Sequence, residues 1–180
     1  GTLMGLARLD LPSLVLYGGS IAPGRWRDRD VTVQDVFEAV GAVASGDLSN
    51  EELADLERKA CPGAGACGGQ FTANTMATAL TFLGVSPLGV NDLPALHPDK
   101  PAAAFTAGER VMEALEHDRR LSTFVTKRSL ENAAASVAAT AGSTNAVLHL
   151  LALAREFDLP FTLEDFDRVA SRTPVLADLK

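Results

Sequence analysis

The chain is poor in cysteine, in aromatic residues and in positive charge, and each scarcity argues against a class of protein. Its 180 residues include 2 cysteines, 1 tryptophan and 1 tyrosine, which is too little cysteine for a disulfide framework. Lysine and arginine number 16 against 23 acidic residues, giving a net charge of −7. Such a balance argues against a nucleic-acid partner or an anionic membrane surface.

Long apolar runs are also missing. The least polar stretch, residues 133–154, is interrupted by serine, glycine, threonine, asparagine and histidine. A transmembrane helix needs about 20 predominantly apolar residues. Because the N-terminus also lacks a basic region followed by an apolar run, we expect no signal peptide, no membrane partner and a cytoplasmic location.

Helical patterns dominate what is present. Thr32, Ser49 and Thr126 are predicted N-caps, and Thr162 with Asp165 predicts a capping box. The predicted helices are 1–9, 33–45, 50–60, 71–83, 102–117, 127–141, 145–157 and 163–171. In the second of these, the apolar positions predicted to face inward are Val33, Val36, Phe37, Val40 and Val43.

Sheet is expected to be scarce. The apolar run 13–17 between a helix and a glycine turn predicts a buried parallel strand, and the charged residues 23–30 predict a solvated loop. We therefore expect an α/β fold, a helix-rich three-layer arrangement around a small, largely parallel sheet. Gly18, Gly19 and Ser20 follow the strand where α/β proteins bind ligands. A turn that simply requires glycine explains them equally well.

Both cysteines lie in a glycine-rich segment, residues 61–69, in which four of nine residues are glycine. Such a segment is a loop whose backbone approaches something closely. A helix follows it, and the helix N-terminus favours a bound anion. Zinc would need about four ligands, and a redox pair usually has two residues between its cysteines rather than five. A cluster site with Cys67 as one ligand fits better, while two inert thiols remain the alternative.

Two longer motifs carry a resemblance to a known family. Residues 61–76, CPGAGACGGQFTANTM, and residues 141–151, AGSTNAVLHLL, resemble the two signatures of the dihydroxy-acid dehydratase family, which includes sugar-acid and phosphogluconate dehydratases. Segments 3–9, 17–20 and 172–174 also stand in the family's order. Gln70 departs from the usual bulky apolar residue, and Ala141 departs from the usual glycine.

The resemblance implies an iron–sulfur cluster, with Cys67 as its last cysteine ligand and Cys61 as a cysteine that does not bind it. The Gly-Ala-Gly form of the loop favours [2Fe–2S] over [4Fe–4S]. The family's other ligand cysteines and its magnesium ligands lie outside this chain, as does the serine base of its C-terminal domain. Gly1 and Lys180 as end residues suggest a piece of a longer protein. We therefore expect residues 1–180 to be a partial N-terminal cluster-binding domain without catalytic residues of its own.

The implied activity is that of a hydro-lyase in branched-chain amino-acid biosynthesis, which removes water from a 2,3-dihydroxy acid to give a 2-keto acid. Cluster iron would act as a Lewis acid and Mg²⁺ would orient the substrate. The alternatives are a sugar-acid dehydratase acting on an aldonate or 6-phosphogluconate, and a catalytically inert isolated domain. A homodimer is expected for the complete protein. Beside Cys67, the candidate site wall comprises Gly18, Gly19, Ser20, Gly68, Gly69, Thr72, Asn74, Ser143, Thr144 and Asn145.

Overall fold

Helices form most of the computed structural model, which describes residues 1–179. The helices are α1 (Thr2–Leu9), α2 (Val33–Ser45), α3 (Asn50–Ala60), α4 (Thr72–Phe82), α5 (Lys100–Glu116), α6 (Leu121–Phe124), α7 (Lys127–Ala139), α8 (Asn145–Glu156) and α9 (Leu163–Arg172). The strands are β1 (Gly24–Trp26) and β2 (Arg29–Val31). The predicted helix-rich α/β fold with a small sheet is confirmed.

The sheet is not parallel, so that part of the prediction is wrong. Strands β1 and β2 form an antiparallel hairpin in which Gly24 pairs with Val31. Arg27 and Asp28 join them with φ of 49° and 63°, and two positive φ values are what a type I′ turn requires. The predicted solvated loop 23–30 is this hairpin. In β1 the exposed Arg25 lies between the buried Gly24 and Trp26, which is the alternation of a strand, but the neighbouring charged residues make the sequence resemble a loop.

The apolar run 13–17, predicted as a strand, is not assigned to one in the structure. Its backbone groups bond instead to a loop and to side chains. Val15 N donates to Val85 O at 2.8 Å, and the Ser86 hydroxyl donates to Val15 O at 2.7 Å. Tyr17 N donates to Asn91 Oδ1 at 2.9 Å. A strand needs a regular backbone partner, and no segment of residues 1–179 supplies one here.

The predicted N-caps are confirmed. Thr32, Ser49, Thr126 and Thr162 each accept a backbone N–H in the first turn of the helix that follows, and each belongs to a complete capping box. These interactions need only three or four neighbouring residues, so the local sequence suffices to specify them.

The larger hydrophobic core lies among α4, α7, α8 and α9. Leu130 and Leu150 are fully buried at its centre, together with the small residues Ala79, Ala133 and Ala134. Alanines on α4 and α7 allow these two helices to approach closely, as the alanine-rich sequence of α7 predicts. This core fixes the first turn of α4 relative to the first turn of α8.

A smaller core joins the hairpin to α2 and α3, with Trp26, Leu56 and Ala60 buried in it. The indole Nε1 of Trp26 donates to Asp55 Oδ2 at 3.0 Å. On α2 the inward prediction is wrong for Phe37 and Val40, which are 61% and 53% exposed. Only a narrow stripe of α2 contacts this core, because α3 is the one helix among residues 1–179 that packs extensively against it.

Within residues 1–179, no helix combines the length and the apolar character that crossing a membrane requires.

Candidate functional site

The glycine-rich segment connects α3 to α4 and is an irregular loop, as predicted. Cys61 closes α3 and is exposed, whereas Cys67 is half-buried near the start of α4. The two thiols therefore occupy different environments despite their short separation in sequence. Of the two, only Cys67 is partly shielded from solvent.

The predicted site turn, Gly18 to Ser20, lies directly against this loop. Ala66 N donates to Gly19 O at 2.9 Å, and Ile21 N donates to Ala66 O at 2.7 Å. These two bonds form a short parallel bridge between Ser20 and Ala66. The turn is thus fixed beside the residue that precedes Cys67.

Two glycines make this approach possible. Gly65 has φ of +143°, and a Cβ added there would lie 2.4 Å from Ile21 N. Gly19 has φ of +102°, and its added Cβ would lie 2.5 Å from Ala95 N. Side chains at either position would collide with backbone, so three loop segments can meet only where glycine stands.

Gly68 and Gly69, just after Cys67, differ from each other. Gly69 is buried, and a Cβ there would lie 3.3 Å from the Phe71 ring. Gly68 is exposed, and a Cβ there would make an ordinary 3.5 Å contact with Ile21 O. Packing within this chain therefore does not require glycine at 68. Gly68 is therefore an exposed residue without a side chain, next to Cys67 in the chain.

Asn74, in the first turn of α4, holds the cysteine loop by a fork of hydrogen bonds. Its Nδ2 donates to Cys67 O at 2.9 Å and to Gly69 O at 2.8 Å. Its Oδ1 accepts a bond of 2.9 Å from the hydroxyl of Tyr17. Sequence reasoning named Asn74 and missed Tyr17, although Tyr17 immediately precedes the Gly18 turn.

Burial raises the pKa of the Tyr17 phenol above its ordinary value, and the nearby Cys67 sulfur raises that pKa further. Both effects favour the neutral phenol. At neutral pH the hydroxyl therefore keeps its proton and remains a hydrogen-bond donor to Asn74.

The second motif meets the first at the N-termini of α4 and α8. Asn145 Nδ2 donates to Thr72 Oγ1 at 2.7 Å, and the hydroxyls of Thr72 and Ser143 lie 3.4 Å apart. Ser143 N donates to the buried Thr75 hydroxyl at 2.9 Å. Thr144 occupies the N-cap of α8 and is exposed, while Ser143 Oγ accepts the bond from Asn145 N at 3.3 Å. Ser143, the residue before the N-cap, therefore supplies the side-chain acceptor at the start of α8.

The threonines of α4 have two different kinds of hydrogen-bond partner, within the helix and outside it. The Thr78 hydroxyl donates back to Asn74 O at 3.1 Å, which is back-bonding within the helix. Thr72 instead faces the second motif, and Thr75 both donates to Gln70 O at 3.2 Å and accepts from Ser143 N. One face of the first turn is therefore a polar wall.

The departures from the family pattern lie beside this wall. Ala141 has φ of +50°, a left-handed conformation that costs a residue other than glycine about 1–2 kcal/mol. This conformation ends α7 at Ala139, two residues earlier than predicted. Gln70 Nε2 donates to Thr140 Oγ1 at 3.2 Å, so its amide ties the loop to the end of α7.

A cleft of about 460 Å³ opens beside the polar wall, lined by residues that include Gln70, Phe71, Ser143 and Thr144. The first-turn N–H groups of α4 and α8 give both helix ends partial positive charge. The surroundings therefore suit a small molecule that carries a negative group.

The chemistry of the side chains limits what this chain can hold by itself. Among residues 1–179 there is no group of three or more His, Cys, Asp or Glu side chains placed to hold a metal ion. A cluster fits here only if Cys67 is one ligand and further ligands come from outside the described residues. The half-buried Cys67, followed by the exposed Gly68, is compatible with that arrangement.

The chain belongs to the dihydroxy-acid/6-phosphogluconate dehydratase family, whose N-terminal domain matches residues 1–180. The resemblance seen in the two motifs is thereby confirmed.

Individual relatives agree with this assignment. The chain is 57% identical over 180 residues to a dihydroxy-acid dehydratase of Koribacter versatilis, covering 100% of this chain and 31% of the relative. It is 56% identical to a dihydroxy-acid dehydratase of Thermus thermophilus, covering 100% of the chain and 32% of the relative. For a dihydroxy-acid dehydratase of Chloroflexus aurantiacus the identity is 48%, with coverage of 100% and 32%. The chain thus spans about a third of the length of these curated relatives.

Proposed function

We propose that the complete protein carrying this chain is a hydro-lyase that converts a 2,3-dihydroxy carboxylic acid into a 2-keto acid, in branched-chain amino-acid biosynthesis. Family membership and relatives named dihydroxy-acid dehydratase support this assignment. The structural observation that carries it is the half-buried Cys67 in a glycine loop that Asn74 and the turn Gly18 to Ser20 hold in place.

In this proposal Cys67 is the one ligand that the chain gives to an iron–sulfur cluster, with [2Fe–2S] favoured. When bound, the cluster would supply Lewis acidity to the departing 3-hydroxyl, and Mg²⁺ would supply charge that orients the substrate carboxylate. Cys61 is exposed at the end of α3 and takes no part in binding.

The chain's own residues bind and orient. Gly68, exposed and next to Cys67 in the chain, adds no side chain to the loop, and the turn Gly18 to Ser20 forms the adjoining wall through its bonds to Ala66. On the other side, the hydroxyls of Thr72 and Ser143 and the amide of Asn145 form a connected polar surface. The N-termini of α4 and α8 add partial positive charge, which favours a carboxylate.

The remaining parts of the site come from elsewhere in the complete protein. We assign to them the other cluster ligands, the magnesium ligands and the base that takes the C2 proton. Residues 1–180 are then part of an N-terminal cluster-binding domain, and the complete protein is a cytoplasmic homodimer. The relatives are longer than the chain by about threefold, which leaves ample length for those parts.

A sugar-acid dehydratase of the same family is the second candidate. The name of the matching family includes 6-phosphogluconate dehydratases. Relatives at 48% to 57% identity are named dihydroxy-acid dehydratase, and this favours the branched-chain substrate.

A substrate comparison tests the proposal. The complete protein, reconstituted anaerobically with iron and sulfide and supplied with Mg²⁺, is assayed for 2-keto acid formation. Its substrates are 2,3-dihydroxy-isovalerate and 6-phosphogluconate. We expect kcat/KM for 2,3-dihydroxy-isovalerate to exceed that for 6-phosphogluconate by at least about 100-fold. Polar groups of a site that are placed to bind one substrate lose their hydrogen-bond partners when a different substrate binds. Preference for the sugar acid would support the second candidate, and turnover of neither would contradict both.

A further inference from the structure

We infer that Tyr17 and Asn74 are positioning residues that hold the Cys67 loop in the conformation that presents its sulfur to the cluster. The inference rests on the proposed function for the role of Cys67. What it adds is a pair of side chains that act on Cys67 through the loop backbone.

Asn74 is suited to this task by its place in the fold. It lies in the first turn of α4, a helix anchored in the main core by the fully buried Ala79 and Leu83. From that rigid base its amide reaches back to the carbonyl groups of Cys67 and Gly69, at 2.9 and 2.8 Å. A loop rich in glycine has high conformational entropy. The two hydrogen bonds from Asn74 fix the carbonyls of Cys67 and Gly69, and they therefore restrict the backbone at Cys67 itself.

Tyr17 completes the hydrogen bonding of the Asn74 amide, whose orientation is set by the two loop carbonyls because they can only accept. The Tyr17 hydroxyl donates to Asn74 Oδ1 at 2.9 Å. A flipped amide would set its oxygen against the carbonyl oxygens of Cys67 and Gly69, and its NH₂ group would lose both acceptors. Removing only the phenol hydroxyl therefore weakens the fork without deleting it.

Tyr17 is itself held at three points. Besides its hydroxyl, its backbone N–H donates to Asn91 Oδ1 at 2.9 Å, and its carbonyl accepts a bond of 2.7 Å from Lys100 Nζ. Asn91 is buried and donates through Nδ2 to Ala77 O, on α4, at 3.2 Å. The phenol is therefore fixed relative to the same helix that carries Asn74.

Thr78 offers a matched control on α4. Its hydroxyl donates to Asn74 O at 3.1 Å, so Thr78→Val also removes a side-chain bond to backbone. That bond stays within the helix and does not reach the cysteine loop. A general effect of weakening α4 would appear in this variant as well.

The first experiment measures the loop without using activity. Cluster-free complete protein, as wild type, Asn74→Ala, Tyr17→Phe and Thr78→Val, is treated with iodoacetamide. Alkylation of Cys67 and of the exposed Cys61 is followed by mass spectrometry. We expect Cys67 to react about fivefold faster in Asn74→Ala than in wild type or Thr78→Val, as the loss of hydrogen bonds to the loop allows. In Tyr17→Phe we expect a smaller increase, of about twofold, because the bonds from Asn74 are weakened but kept. Cys61 serves as the internal reference and keeps its rate.

The second experiment measures cluster retention. Each reconstituted variant is exposed to a chelator while the visible absorption is recorded. We expect Asn74→Ala to lose its cluster about 10-fold to 100-fold faster than Thr78→Val, the range typical of residues that support metal ligands.

Distinct results separate this inference from the proposed function. If wild type binds no cluster, the proposed function fails while the alkylation ratio still tests the positioning role. Equal Cys67 reactivity in Tyr17→Phe and Thr78→Val would overturn the inference. A parallel rise at Cys61 would overturn it too, because it would show general loosening of the chain.

Discussion

At the scale of single residues, Gly65 shows how far the sequence leads. The density of glycine predicts a backbone that approaches something closely, and the structure identifies that partner as Ser20 and Ile21. The sequence could not name them, because the contact joins two loops that no local pattern connects. Composition thus predicts a close approach, and only the fold determines its partner.

Substitution of Gly65 by alanine tests that approach. The new Cβ would lie 2.4 Å from Ile21 N on a backbone with φ of +143°. Left-handed strain and overpacking together are expected to cost about 2–4 kcal/mol. We expect the midpoint of urea unfolding of the complete protein to fall accordingly.

The matched control is Gly41→Ala, inside α2, where an added Cβ meets nothing within 4 Å. Alanine favours helix over glycine by about 1 kcal/mol, so this variant should be neutral or slightly stabilised. Equal midpoints for the two variants would contradict the close approach of the loops.

At the scale of helices and strands, features that depend on neighbouring residues are predicted correctly, whereas features that depend on residues far apart in the sequence are not. The capping boxes at Thr32, Ser49 and Thr162 follow from neighbouring residues. The hairpin at 24–31 is missed, because charged residues on its exposed positions resemble a loop and its buried Trp26 needs α3 to cover it. The run 13–17 has the composition of a strand but lacks a strand partner among residues 1–179.

The capping box of α9 includes a contact to another helix that the local sequence does not predict. Asp165 accepts bonds from Arg168 at 2.6 Å, from Lys127 at 3.1 Å and from Thr162 N at 3.1 Å. The hydrogen bond from Arg168, followed by those from Lys127 and Thr162, holds the pKa of the Asp165 carboxyl well below its ordinary range. Lys127 begins α7, so this carboxylate ties two helices together.

Asp165→Asn should therefore have a pH-dependent effect. A depressed pKa means that the ionised carboxylate stabilises the fold above its ordinary value of about 3.9, and that this contribution is lost as the pH falls below it. We expect Asp165→Asn to unfold at lower urea than wild type at pH 7, with the difference shrinking below about pH 4.

The control for this change is Asp167→Asn, an exposed position on the same helix. It should match wild type at both pH values. A deficit in Asp165→Asn that stays constant or grows in acid would argue against the carboxylate as its cause.

At the scale of the whole molecule, the sequence identifies the family more reliably than it predicts the arrangement of the sheet. Both motifs are recognisable from their residues, and the structure brings them together through Thr72, Ser143 and Asn145. The bond between Tyr17 and Asn74 spans 57 positions and has no sequence signature. The expectation of a parallel sheet rests on a single apolar run, whereas the larger core is made by packed helices.

The central claim is that Cys67 is a cluster ligand and that Cys61 is not. Cys67 is half-buried in the glycine loop, and Cys61 is exposed at the end of α3. The most direct test is the iron content and visible absorption of the anaerobically reconstituted complete protein in the variants Cys67→Ser and Cys61→Ser. We expect Cys67→Ser to lose the cluster and the dehydratase activity, while Cys61→Ser keeps both. Retention of the cluster in Cys67→Ser, or its loss in Cys61→Ser, would contradict the account.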